Sequence, residues 1–125
     1  MVSHLLVVDD DIDFVKVAAK VLQKAGHEVT SARNGEQAPA MMRRNVPDLV
    51  LLDMMMSYIV DGLDARRAMT EDPFLKAVPV IMMTSATVAR GDGTAATGED
   101  IPVTLWLSKP IKPDKLLASV NQALA

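Results

Sequence analysis

The sequence predicts a doubly wound α/β domain, a three-layer α/β/α arrangement in which a five-stranded parallel sheet is covered by helices. Short, nearly unbroken apolar runs recur at residues 5–8, 49–52, 78–83 and 103–107, with a weaker one at 28–31. Continuous rather than alternating hydrophobicity suits strands buried on both faces, as in a parallel sheet. Segments of helical period lie between the runs, and alternating strands and helices are the pattern of this fold class.

The elements follow in order. Residues 5–8 form the first strand. Residues 12–25 carry Phe14, Val17, Ala18, Val21, Leu22 and Ala25 on one stripe at helical spacing. Acidic residues precede that helix and Gly26 follows it, as start and stop signals. The more polar run at 28–31 suits an edge strand. A second helix spans 37–44, with Pro39 expected to trim or kink its first turn. After the strand at 49–52, a third helix spans 63–70 and stops before Asp72-Pro73. Between the strands at 78–83 and 103–107, residues 87–102 contain Gly91, Gly93 and Gly98. Each interior Gly costs about 1 kcal/mol relative to Ala, so a short helix or a mobile loop is expected there. The last helix opens at Pro113, a favoured first helical position, and runs to the C-terminus.

A chain of 125 residues fits one domain, expected to span the whole of 1–125 with no output domain. It has no cysteine, which excludes disulfides, thiolate metal sites and a Cys nucleophile. A net charge of −3 without a basic stripe argues against nucleic-acid binding. The apolar runs fall far short of a membrane span, and the N-terminus lacks the pattern of a signal peptide. The expected location is cytoplasmic. Nine methionines read as core filling, and His4 and His27 as packing or surface residues.

Polar residues gather at the strand ends. Asp9, Asp10 and Asp11 follow the first run and Asp53 the third; Thr84 and Ser85 end the fourth, and Lys109-Pro110 follows the fifth. Each has a plain structural reading. An acidic run before a helix caps it, Thr is a β-former, and Lys-Pro marks a turn. In a parallel sheet, however, all of them converge on one edge, where such sheets bind ligands. Crowded carboxylates repel one another and call for a divalent cation; hard oxygen ligands with open water positions suit Mg²⁺. A carboxylate beside that cation can accept a phosphoryl group as an acyl phosphate, with Lys109 as a fixed charge and Thr84 as a hydroxyl donor.

These residues resemble the receiver domain of two-component response regulators. The resemblance is carried by residues 5–11, 47–53, 79–86 and Lys109-Pro110, in the family's order and approximate spacing, and it covers the whole chain. It implies a flavodoxin-like sheet in 2-1-3-4-5 order. It implies that Asp53 takes a phosphoryl group from the phosphohistidine of a sensor histidine kinase or phosphotransfer protein, switching a surface for an unknown downstream protein. Asp10 would bind Mg²⁺ directly and Asp9 through water, with Asp53 and the backbone carbonyl of Met55 also in the metal site. Thr84 and Lys109 would hold the phosphoryl oxygens, and the Lys109-Pro110 bond would be cis. Thr84 and Trp106 stand at the family's switch positions. Such a module is not an enzyme, since it phosphorylates and slowly dephosphorylates only itself.

Three features depart from the family pattern. Ser57 replaces a usual Pro, in a loop to Asp61-Gly62 about one residue longer. Trp106 is bulkier than the usual Tyr or Phe, and packing on an edge strand is as good a reading of it as switching. Residues 87–102 are longer and less helical than usual. Met55 and Ala86 flank the family's route for hydrolytic water, and neither positions water by hydrogen bonding, so a long-lived phosphorylated state is expected. Among other functions, a haloacid dehalogenase-type phosphohydrolase needs a second Asp where Met55 stands. A flavodoxin-like cofactor binder would not place Asp9, Asp10 and Asp11 against a phosphate. The alternative that remains is a receiver-like scaffold working by constitutive contacts, without a phosphorylation switch.

Overall fold

The computed structural model describes residues 3–33, 37–53, 61–85 and 104–124. Their order is β1 (His4–Val8), α1 (Ile12–Lys24), β2 (Glu28–Ala32), α2 (Gln37–Arg44), β3 (Leu49–Asp53), α3 (Asp61–Glu71), β4 (Val80–Ser85), β5 (Leu105–Lys109) and α4 (Pro113–Leu124). The strands form one parallel sheet in the order β2-β1-β3-β4-β5. This is the doubly wound, flavodoxin-like topology.

The two faces of the sheet explain why the apolar runs are continuous. Leu6, Val8, Val50, Leu52, Val80 and Met82 face one core, with Ala38 and Met42 of α2 and Met69 of α3. Their immediate neighbours Leu5, Val7, Leu49, Leu51, Ile81 and Met83 face a second core, with Ala18 and Leu22 of α1 and Leu116 and Val120 of α4. Successive strand residues point to opposite faces, so a strand covered on both sides needs an apolar residue at every position. The edge strand β2, largely exposed, needs fewer, as its polar sequence suggested.

Local chemistry sets the ends of the elements. The Asp11 carboxylate caps α1 by accepting from the Phe14 N–H at 3.2 Å. Past the other end, Gly26 adopts φ +99°, and the N–H groups of Gly26 and His27 donate to Gln23 and Leu22. Pro39 is the third residue of α2, in the first turn, where no helical hydrogen bond needs its missing N–H. The helix begins at Gln37, as the pattern indicates, and Pro39 does not trim it.

Two strands lie two residues later than the apolar runs suggest. β4 starts at Val80, not residue 78, because Val78 closes a turn onto Leu75 and Pro79 has no N–H to give; the Pro79 carbonyl opens the ladder by accepting from Val50. β5 spans Leu105–Lys109 rather than 103–107, and Thr104 enters it by donating its N–H to Val80. Backbone pairing runs on through polar residues, with Thr84 opposite Ser108 and Ser85 opposite Lys109. Thr84 and Lys109 thus belong to the strands. α3 likewise extends beyond 63–70 at both ends. The segment 87–102, expected as a short helix or loop, lies outside the described residues.

Candidate functional site

The register brings the polar strand ends to one edge. Val8 stands opposite Leu52 and Asp53 opposite Met83, so Asp9, Asp53 and Thr84 leave neighbouring strands at nearly the same level. Carboxylate oxygens of Asp9, Asp10 and Asp53 all lie within 4.8 Å of one another. Lys109, the last residue of β5, reaches over the end of the sheet to this cluster. Its Nζ lies 2.6 Å from Asp9 Oδ2 and 3.5 Å from Asp53 Oδ2.

The three carboxylates are not equivalent. Asp9 is 1% exposed and both its oxygens are engaged, Oδ2 by Lys109 and Oδ1 by the Asp11 N–H at 2.9 Å. Asp53 is buried at the end of β3. Asp10 is exposed and has no ion pair among the described residues. Burial pushes the Lys109 ammonium toward its neutral form. The hydrogen bond to Asp9 and the charges of Asp9 and Asp53 outweigh that, and its pKa rises above the ordinary lysine value. The ammonium is a fixed positive charge at neutral pH.

One ammonium against three carboxylates leaves the cluster negative, and its donors are all oxygen. About 2.1 Å from metal to each oxygen puts opposite ligands of Mg²⁺ about 4.2 Å apart. A group already within 4.8 Å closes on such an ion with small side-chain shifts. Asp9 is occupied by Lys109 and by backbone, whereas Asp10 is exposed and has no ion pair among the described residues. The donor set fits a hard divalent cation.

Most residues singled out from sequence meet here. Thr84 is buried at the end of β4, next to Asp53's strand. The Lys109-Pro110 bond is cis. Trp106 stands apart from the cluster; it is half-buried, opposite Met82, and packs on the core beneath α2 and α3. Met55, Ser57 and Ala86 lie outside the described residues. Sequence reasoning passed over Phe14, whose ring centroid lies 4.7 Å from Lys109 Nζ. It had been absorbed into the apolar stripe of α1. The available signal was its place three residues after the Asp11 cap, at the helix end that faces the acidic edge.

Comparison with known proteins decides the family. The model of the response regulator receiver domain matches residues 5–121. The chain belongs to the response regulator receiver domain family. This receiver domain is 32% identical over 123 residues to the protein PilH of Pseudomonas aeruginosa, covering 98% of each chain. It is 34% identical to the response regulator PleD of Caulobacter vibrioides across 97% of its own length, but spans only 26% of PleD. Among solved structures, the chemotaxis response regulator CheY4 of Vibrio cholerae superposes with a TM-score of 0.87 at 28% identity, over 99% of this domain and 100% of CheY4. The receiver domain is a component of two-component signalling, and among its described residues no helix is long and apolar enough to cross a membrane.

Proposed function

We propose that this receiver domain is a phosphoacceptor in which Asp53 takes the phosphoryl group of a phosphohistidine, on a sensor histidine kinase or a phosphotransfer protein. One observation carries the reading: three carboxylates from two distant strand ends within 4.8 Å, with an ammonium 3.5 Å from Asp53. Asp10 and Asp53 would hold Mg²⁺ directly and Asp9 through water, with the Met55 carbonyl as a further ligand. Bound there, the cation offsets negative charge on the carboxylates and the transferring group.

An Asp53 oxygen attacks phosphorus, the P–N bond to the donor imidazole breaks, and a P–O bond to Asp53 forms. The bonding pair leaves with the imidazole nitrogen, which a proton from solvent then neutralises if needed. Asp53 exchanges its carboxylate charge for an acyl phosphate. Lys109 would donate to a phosphoryl oxygen, and the Thr84 hydroxyl, one residue past Asp53's level on the adjacent strand, to another. The domain's part in chemistry ends there, with its own slow hydrolysis; the consequence is a changed surface for a downstream protein.

The test is incubation with acetyl phosphate and Mg²⁺, followed by intact mass measurement. Wild type gains one phosphoryl group, while Asp53→Asn and samples in EDTA gain none. A wild type that stays unmodified, or an Asp53→Asn protein that is modified equally, overturns the reading.

A further inference from the structure

A lysine ammonium is a compact, strongly hydrated charge on a flexible four-carbon stem. To serve as a fixed charge, it must be restrained. Here two carboxylates and one ring restrain Lys109: Asp9 at 2.6 Å, Asp53 at 3.5 Å, and the Phe14 ring centroid at 4.7 Å. That last distance is well inside the roughly 6 Å over which the negative face of an aromatic ring attracts a cation.

The ring is itself held in place. Phe14 sits in the first turn of α1, where its N–H donates to the Asp11 cap. Its half-buried side chain packs on the core between the sheet, α1 and α4. The ring also does what a third carboxylate could not. An ammonium has three N–H donors. Asp9 takes one by a hydrogen bond at 2.6 Å and Asp53 stands within ion-pair distance at 3.5 Å; a ring face attracts the cation without taking a donor that an incoming oxygen needs. Its attraction does not depend on the Asp53 charge, so it acts on the ammonium both before and after Lys109 turns from the carboxylate to a phosphoryl oxygen.

We infer that Phe14 is a positioning residue for phosphoryl transfer: its ring face keeps the Lys109 ammonium between Asp9 and Asp53. The inference rests on the phosphoacceptor reading of Asp53.

The experiment measures the rate of Asp53 phosphorylation by acetyl phosphate at saturating Mg²⁺, using acid quench and intact mass. Phe14→Leu keeps apolar bulk and removes the ring; its rate falls about 5- to 30-fold, the equivalent of a partly desolvated cation–ring contact. Phe14→Tyr stays near wild type. Replacing Phe14 by phenylalanines with one, two and three ring fluorines leaves size nearly unchanged while draining the ring face, and the rate falls with each fluorine. In a Lys109→Met background, Phe14→Leu brings no further loss. Mg²⁺ affinity by calorimetry stays the same among the Phe14 variants that keep Lys109.

If Phe14→Leu matches wild type, or the fluorinated proteins all match wild type while Phe14→Leu is slow, the ring only packs and the inference fails. Those outcomes leave Asp53 as the phosphoacceptor. A wild type that takes no phosphoryl group overturns both.

Discussion

At the scale of single residues, the acidic cluster holds carboxylates with opposite effects on stability. Asp10 is exposed, has no ion pair among the described residues, and lies near two other carboxylates. Without metal it contributes mainly repulsion. Asp10→Asn is therefore expected to stabilise the metal-free domain, by a few tenths to about 1 kcal/mol in urea unfolding with EDTA. Asp9→Asn should act the other way, by about 1–3 kcal/mol, because it strips the nearest partner from a half-buried ammonium. Equal effects from the two variants would contradict the geometry. Far from the site, Asp72 accepts from Arg43 Nε at 2.7 Å and from the Phe74 N–H at 2.9 Å. The Arg43 hydrogen bond, then that of Phe74, hold its carboxyl below the ordinary carboxylate range. The unfolded chain takes up this proton first, so the stabilisation is present above about pH 4 and is lost as pH falls through the lower folded-state value. Asp72→Asn should lose stability at neutral pH and show a shallower decline below about pH 4 in pH-dependent melting.

At the scale of elements, hydrophobicity made the strands legible, and polarity hid where two of them end. Positions such as Leu51 and Leu52 feed opposite cores, so an unbroken apolar run was a reliable sign of a central strand. Thr84, Ser85, Ser108 and Lys109 pair through backbone groups, which carry no hydrophobic signature, and the runs stopped short of them. The convergence of Asp9, Asp10, Asp53 and Lys109 was nonetheless legible, because parallel strands deliver their C-terminal ends to one edge whatever their lengths. Phe14 was not, since a stripe residue at a helix end serves core and site alike and only coordinates separate the two. The stop signal at Gly26 was read correctly and has a measurable cost. At φ +99° a β-carbon is strained even though nothing lies within 4 Å of where it would stand. Gly26→Ala should destabilise by about 1 kcal/mol and Gly26→Asn by less, with an unchanged urea m-value.

For the whole molecule, the site exists only when the sheet does. Asp9 and Lys109 are 100 residues apart in sequence, and Asp53 joins them only because β3 lies between β1 and β4. An unfolded chain cannot hold these groups together, so a divalent cation that uses the cluster binds the folded state alone. Its binding then appears as stability, about 2.7 kcal/mol at a hundred times Kd. The melting temperature should rise in proportion to the logarithm of Mg²⁺ concentration above Kd, whereas KCl at equal ionic strength should leave it nearly unchanged. Asp53→Asn and Asp10→Asn should flatten that dependence. Lys109→Met should move its onset to lower Mg²⁺ concentration, because the ammonium 2.6 and 3.5 Å from two carboxylates occupies part of the negative potential the cation seeks. A Lys109→Met domain that binds Mg²⁺ more weakly than wild type would mean that the lysine organises the carboxylates for the metal instead of competing with it.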